Sequence, residues 1–383
     1  MILSGFFQRV GAMVRKEFLQ LARDRVSFAT MISIPLLQLV LFGYAINTTP
    51  RHLPTAVLAY ENTSLTRSIL AAIENTKYFA VVAQPSSAVE ADHLMRSGDV
   101  SFIVEIPAGF ERAVRRGESP SMLVAADATD PVASGSAVAA LRALVDTAVQ
   151  RERFTKEGGP SGSGLEAAPP PFQIITHARY NPAAVTQLNI VPGLLGTILT
   201  MTMLIFTALS VTREIERGTM ESLLAMPIRP VEVMLGKIAP YVLVGAMQAA
   251  MIVLAGLFLF NVPMIGSLGL LTTLTVLFIV ANLSIGYTFS TLAQNQLQAV
   301  QMTFMYFLPN ILLSGFMFPF AGMPDWAQWI GETLPLTHYL RMVRGILLKG
   351  ADAADLMNNI LALSAIMVVA MVIAVKRFRQ TLD

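Results

Sequence analysis

The residues whose chemistry stands out lie in one polar stretch, Arg213-Glu214-Ile215-Glu216-Arg217-Gly218-Thr219-Met220-Glu221-Ser222-Leu223-Leu224-Ala225-Met226-Pro227, set between two long apolar runs. Interleaved carboxylates and guanidiniums suit recognition of another protein better than bond making. Catalytic constellations are missing. A phosphate-cradling loop needs G-x-x-x-x-G-K-[ST], and the nearest approach, Gly236-Lys237, has Val231 where the first glycine belongs. Ser314-Gly315 follows Leu312-Leu313, so the G-x-S-G pattern of an intramembrane protease is not met, and no H-E-x-x-H occurs. His52, His93 and His177 are scattered without metal-ligand spacing, and His338, close to Pro335, reads as a polar loop residue. The chain is expected to be no enzyme, with no catalytic, cofactor or metal site of its own.

Within the island, Gly218 interrupts any helix arriving from the preceding run, and Thr219 can cap a new short one. Glu221 then falls in the first turn, where a carboxylate suits the helix dipole. Leu223 and Leu224 give that helix an apolar edge, and Pro227 ends it. On physics alone two readings stay open: the leucines dock into a groove on another protein, or the island packs on the membrane surface.

The elements that position this island follow from composition. Hydrophobic residues make up 54% of the 383, charged residues only 14%, and mean hydropathy is +0.59. Soluble domains carry about 25% charge, so this is an integral membrane protein. Net charge is +2, which gives no nucleic-acid signature, and the absence of cysteine excludes disulfides. Six runs are long enough to span a bilayer as helices: 26–46, 190–211, 238–260, 268–292, 300–320 and 356–375. Residues 293–298 make a tight polar turn between the fourth and fifth. The first run lies too far in, and is too long, for a cleaved signal segment. Lysine and arginine cluster before the first span, in the island and after the last span, which puts both termini and the island in the cytoplasm.

Residues 47–186 then lie outside. Apolar runs at 55–60, 78–83, 100–106 and 121–126 suit strands, and polar stretches at 64–75 and 87–97, with Ser64 and Ser87 as N-caps, suit helices. This alternation predicts an α/β domain with a mixed, largely parallel sheet. A longer helix is expected at 131–154, followed by a flexible Gly/Ser/Pro-rich linker at 156–171. Residues 1–25 form an amphipathic interfacial helix, with Phe7, Val10, Val14, Phe18 and Leu21 opposite Arg9, Lys16 and Arg23. It serves either as an anchor or as a partner contact. The fold class is thus an α-helical polytopic membrane protein of six transmembrane helices, with an α/β domain inserted between helices 1 and 2.

Glu214, Glu216, Gly218, Thr219, Glu221, Leu224 and Pro227, with Glu232 and Gly236-Lys237 beyond, resemble the cytoplasmic loop of ATP-binding-cassette type-2 exporter permeases. Ser314-Gly315, Phe318-Pro319, Met323-Pro324-Asp325-Trp326, Leu334-Pro335-Leu336-Thr337, Arg344-Gly345 and Arg179-Tyr180-Asn181-Pro182 match the same family in order and spacing. The resemblance implies a permease in the bacterial inner membrane that does not hydrolyse ATP. ATP and Mg belong to a separate cytoplasmic ATPase subunit, and a second permease chain, identical or paralogous, completes the unit. It implies that 213–227, with Glu214, Glu216, Gly218, Thr219, Glu221, Leu223 and Leu224, is the coupling helix seated on that ATPase, and that the N-terminal helix touches it too. Residues 323–349, with Pro324, Trp326, Trp329 and Pro335, are implied to form a re-entrant external lid; an interfacial loop lying flat is the alternative.

The implied translocation path runs between two copies, lined by spans two and five, with Thr197, Thr200, Phe304 and Asn310 as candidates; these polar groups serve equally well as helix glue. Spans without ionisable residues argue against a proton- or ion-coupled carrier and favour a hydrophobic or amphipathic cargo such as drugs. Export of a lipid or glycolipid is the alternative. A membrane sensor with an external ligand-binding domain is the rival of another class. Whether a periplasmic adaptor is engaged stays open.

Overall fold

In the computed structural model, the residues described are 52–130, 134–135, 137–141, 172–183, 185–218 and 230–377. The helix expected at 1–25, the first span at 26–46, the linker at 156–171 and the island from Thr219 to Pro227 lie outside them. So does most of the helix expected at 131–154.

Five strands form one sheet: β1 (Leu53–Ala59), β2 (Phe79–Ala83), β3 (Phe102–Ile106), β4 (Ser121–Asp127) and β5 (Gln173–Arg179), in the order β2-β1-β3-β4-β5. β1 runs parallel to β2 and β3, β4 antiparallel to β3, and β5 parallel to β4. β1 and β3 are mostly apolar, Thr55 and Glu105 aside, because strands of this kind are covered on both faces. Helices α1 (Ser64–Asn75), α2 (Ala88–Ser97) and α3 (Phe110–Arg115) connect them. Ser87 caps α2 as expected, accepting from the Glu90 amide at 3.2 Å. The cap of α1 is Thr63 and not Ser64: the Thr63 hydroxyl accepts from the Thr66 amide, and Ser64 is the first helical residue. The expected strands shift by one or two residues at their ends. α3 and β5 were not expected; β5, at the sheet edge, has only Ile174 and Ile175 as consecutive apolar residues and is buried on neither face.

Among the described residues, four helices contain stretches long and apolar enough to cross a membrane: α4 (Thr186–Glu216, 31 residues), α5 (Pro230–Leu259, 30 residues), α6 (Leu268–Leu292) and α10 (Met357–Arg377). The span expected at 300–320 needs correction. Its helix, α7 (Gln296–Leu313), begins earlier and stops at Leu313, where Ser314 leads into Gly315 in the left-handed region at φ +83°. At 18 residues it is about 27 Å long, and Gln296, Gln298, Gln301 and Asn310 dilute its apolar character. The segment expected to be re-entrant is two short helices, α8 (Asp325–Glu332) and α9 (Pro335–Arg344), then a single π-helical turn at Gly345–Lys349.

α6 is the hub, packed by α4, α5, α9 and α10. A Cβ on Gly286 would lie 2.9 Å from the Leu204 carbonyl oxygen, so α4 and α6 meet backbone to backbone. Phe278 of α6 stacks on Tyr339 of α9 at 4.0 Å, and the Tyr339 hydroxyl hydrogen-bonds Thr275 at 2.8 Å. The buried hydroxyls of Thr207, Thr212 and Thr303 donate to carbonyls one turn back. Hydrocarbon offers no water to do this.

The sheet meets the membrane helices at the edge holding the N-terminal ends of β1 and β3 and the C-terminal end of β4. There the Lys349 ammonium, at the end of the π turn, bonds the Asp127 carboxylate and donates to the Met95 carbonyl at 3.2 Å. Its Nζ stands 5.5 Å from the centre of the Tyr180 ring. The Lys349 and Asp127 side chains are only 8% and 11% exposed. Met95 lies in the last turn of α2, whose dipole favours a cation. His93 on the same helix reaches Asp355 at 3.1 Å.

Removing one partner of such a buried pair costs about 3–5 kcal/mol, because the other charge is left uncompensated. Lys349→Met should therefore lower the apparent melting temperature markedly, and adding Asp127→Asn should restore part of the loss. A double variant that melts no higher than Lys349→Met alone would show that the ion pair does not hold the junction.

Candidate functional site

The first residues of the island, Arg213 to Glu216, are the last turn of α4, and Gly218 then turns left-handed, at φ +68°. The Glu216 carboxylate accepts from the Gln296 backbone amide at 2.7 Å and from the Gln296 side-chain amide. These donors hold its carboxyl below the ordinary glutamate range. Glu216 thereby joins the end of α4 to the first residue of α7. The α6–α7 turn is closed by further caps: Asn295 accepts from the Gln298 amide at 2.8 Å, and Gln298 accepts from the Gln294 amide at 2.9 Å. The tight turn expected at 293–298 is present in this form. Glu214 is half-buried on α4, and Arg213 and Arg217 are exposed. Thr219, Glu221, Leu223 and Leu224 lie outside the described residues.

Of the four candidates in the spans, three sit inside the packing of this chain. Thr197 is buried and donates to the Gly193 carbonyl, and Thr200 is buried and donates to the Gly196 carbonyl at 2.8 Å. Asn310 is fully buried; the Tyr306 side chain approaches its amide, without a well-formed hydrogen bond. Phe304 faces outward, 38% exposed. An exposed apolar stripe on α4 went unread in the sequence: Ile190, Leu194 and Ile198 recur every fourth residue, with Phe206 two turns on. Thr202, between them, bonds Gln248 of α5 at 2.9 Å.

The external-lid candidates fall in a cap built on the start of α4. A Cβ at Gly193 would stand 2.1 Å from the Phe316 ring, and one at Gly196 would stand 2.6 Å from Leu336. Both glycines are notches that receive the cap. Pro335 is buried in the first turn of α9, and Pro324 is the N-cap of α8. Gly331 rests against the Leu313 carbonyl, while Trp326 and Trp329 turn away from the chain. Arg341 pairs with Glu332 at 2.6 Å and lies over the Phe320 ring. Arg344 donates to Asn189 of α4 at 2.5 Å and to the Gly315 carbonyl at 3.3 Å. His338 is not the loop residue expected. It lies buried in α9, its ring nitrogens engaged with Asn359 and the Glu332 carbonyl. Among the described residues, no cluster of histidine and carboxylate side chains has metal-holding geometry.

At the far edge of the sheet, the Glu61 carboxylate accepts from the backbone amides of Gly109 and Glu111, each at 2.8 Å. It thus ties the turn after β1 to the turn after β3.

Comparison with known proteins gives this arrangement its context. Residues 25–376 match the model of a family described as ABC-2 family transporter protein. The probable multidrug ABC transporter permease YbhS of Escherichia coli strain K12 is 30% identical over 362 residues, 94% of this chain and 93% of that one. The probable multidrug ABC transporter permease YbhR of the same strain is 27% identical over 354 residues, covering 92% and 94%. The inner membrane transport permease YhhJ, also from that strain, is 30% identical over 313 residues, 77% of each chain. With a match of this extent, the chain belongs to the ABC-2 transporter family, as a membrane permease subunit whose ATPase is a separate subunit.

Proposed function

We propose that the chain is the membrane half of an ATP-driven exporter that moves hydrophobic or amphipathic compounds, drugs among them, outward across a bacterial inner membrane. The full architecture in this reading has six spans, counting 26–46 and α7, both termini in the cytoplasm and the sheet domain outside. Two permease chains, identical or paralogous, face each other, and residues 213–227 seat on the ATPase subunit, which holds ATP and Mg. The described spans carry no charge at mid-membrane, which suits an uncharged or amphipathic cargo. The exposed stripe Ile190–Leu194–Ile198–Phe206, with Phe304, is the surface offered to the second copy and the cargo. Phe316 and Tyr339, seated on the α4 notches, close the outer end.

The observation that carries this reading is the bond between Glu216 and Gln296, since a push on the island then moves α4 and α7 together. The multidrug wording in the names of YbhS and YbhR favours drugs over a lipid or glycolipid.

Co-expression with its partner ATPase subunit should give a stable complex that Leu224→Asp or Glu221→Arg weakens. A permease that never associates with any ATPase would end the exporter reading. Glu216→Ala should behave differently: the complex still forms, but stimulation of ATP turnover by cargo is lost. If stimulation in that variant matches the wild type, the Glu216 contact does not couple the two helices. Across drugs, bile salts and lipids tested in nanodiscs, stimulation by lipids alone would shift the assignment to lipid export.

A further inference from the structure

Helix α8 has two unlike faces. Ala327 and Gly331 are buried against the end of α7; a Cβ on Gly331 would come within 2.6 Å of the Leu313 carbonyl and 2.7 Å of the Phe320 ring. Trp326, Trp329 and Ile330, at 42%, 80% and 45% exposure, form the opposite stripe. Asp325 and Glu332 border it at the two ends of the helix. These are the chain's only tryptophans, and both lie on this stripe.

We propose that this face of α8 lies in the headgroup–acyl boundary of the bilayer and anchors the outer cap to the lipid. Tryptophan concentrates at that boundary, where the ring is apolar and its N–H still finds water. The position of α8 agrees. It joins α7 to α9, outside the long apolar helices and ahead of the start of α10 in the chain. Apolar surface continues on both sides, with Met317 before α8 and Met357 at the start of α10 both exposed. A helix with an aromatic stripe and charged ends beside a set of spans suits an in-plane interfacial position. The fixed face of α8 carries the cap: Glu332 holds Arg341, and the Glu332 carbonyl meets His338. The tryptophans therefore serve as an edge mooring and not as the plug over the path. This inference rests on membership of the membrane permease family and not on the compound transported.

The two tryptophans make the test direct. Full-length Trp326→Phe and Trp329→Phe chains, each with one tryptophan left, are reconstituted into phosphatidylcholine nanodiscs with bromines either near the glycerol or near the chain end. Both tryptophans should emit at blue-shifted wavelengths, be quenched more by the shallow bromines than by the deep ones, and be little quenched by aqueous iodide. Efficient iodide quenching without bromolipid quenching would mean a face open to water and would overturn the proposal. Resistance to both quenchers would mean that protein covers the stripe, a second copy or another segment, and would overturn it as well. None of these outcomes depends on ATPase binding, so the exporter reading stands or falls separately.

Discussion

The backbone contact between α4 and α6 at Gly286 is what the rest of this molecule depends on. Helices in lipid gain no hydrophobic energy by associating, so close van der Waals approach has to hold them. Gly286 permits that approach by leaving only the Leu204 carbonyl and the Thr207 side chain opposite it. With α4 seated there, α6 becomes the buried hub. Its Phe278 and Thr275 fix Tyr339, and Tyr339 fixes α9 over the notch at Gly196. The π turn at the end of α9 then presents Lys349 to the sheet. The placement of the sheet thus goes back, contact by contact, to one residue without a side chain.

The sequence revealed most where burial is uniform. The spans in α4, α5, α6 and α10 announce themselves because hydrocarbon excludes charge along their whole length, and β1 and β3 do so because both their faces are covered. The same uniformity hides which face of a span turns inward. Thr197, Thr200 and Asn310 gave no sign that they are buried within one chain, nor Ile190 and Leu194 that they are exposed. α7 was misjudged because its glutamines are spent at the helix start, where they cap and are capped, while its end depends on a left-handed glycine. Thr63 and Ser64 were both able to cap α1, and only backbone geometry separates them. The contact between Glu216 and Gln296 joins residues 80 positions apart, beyond any local pattern.

Several residues singled out only by resemblance prove to have plain structural work. Arg179 pairs with Asp92, Tyr180 offers its ring to Lys349 from a left-handed backbone, and Asn181 ties the chain to Val185 through both atoms of its amide. Together they turn the last strand of the sheet into the first long helix. Arg344 bridges α9 to Asn189 near the top of that helix. In this chain these residues are therefore joints, placed where one kind of structure hands over to another.

The length of α4 has a mechanical consequence. Its 31 residues extend about 46 Å, against a hydrocarbon layer of about 30 Å. The following helix, α5, with 30 residues, is nearly as long. Both helices therefore outreach the hydrocarbon layer, α4 at the end that leads to Gly218 and α5 at the end that starts from Pro230. A rocking of about 10° about one end of a rod of that length sweeps the other end through roughly 8 Å. In the proposed exporter, a tilt of α4 that small would be enough to change the width of a path beside it by several ångströms.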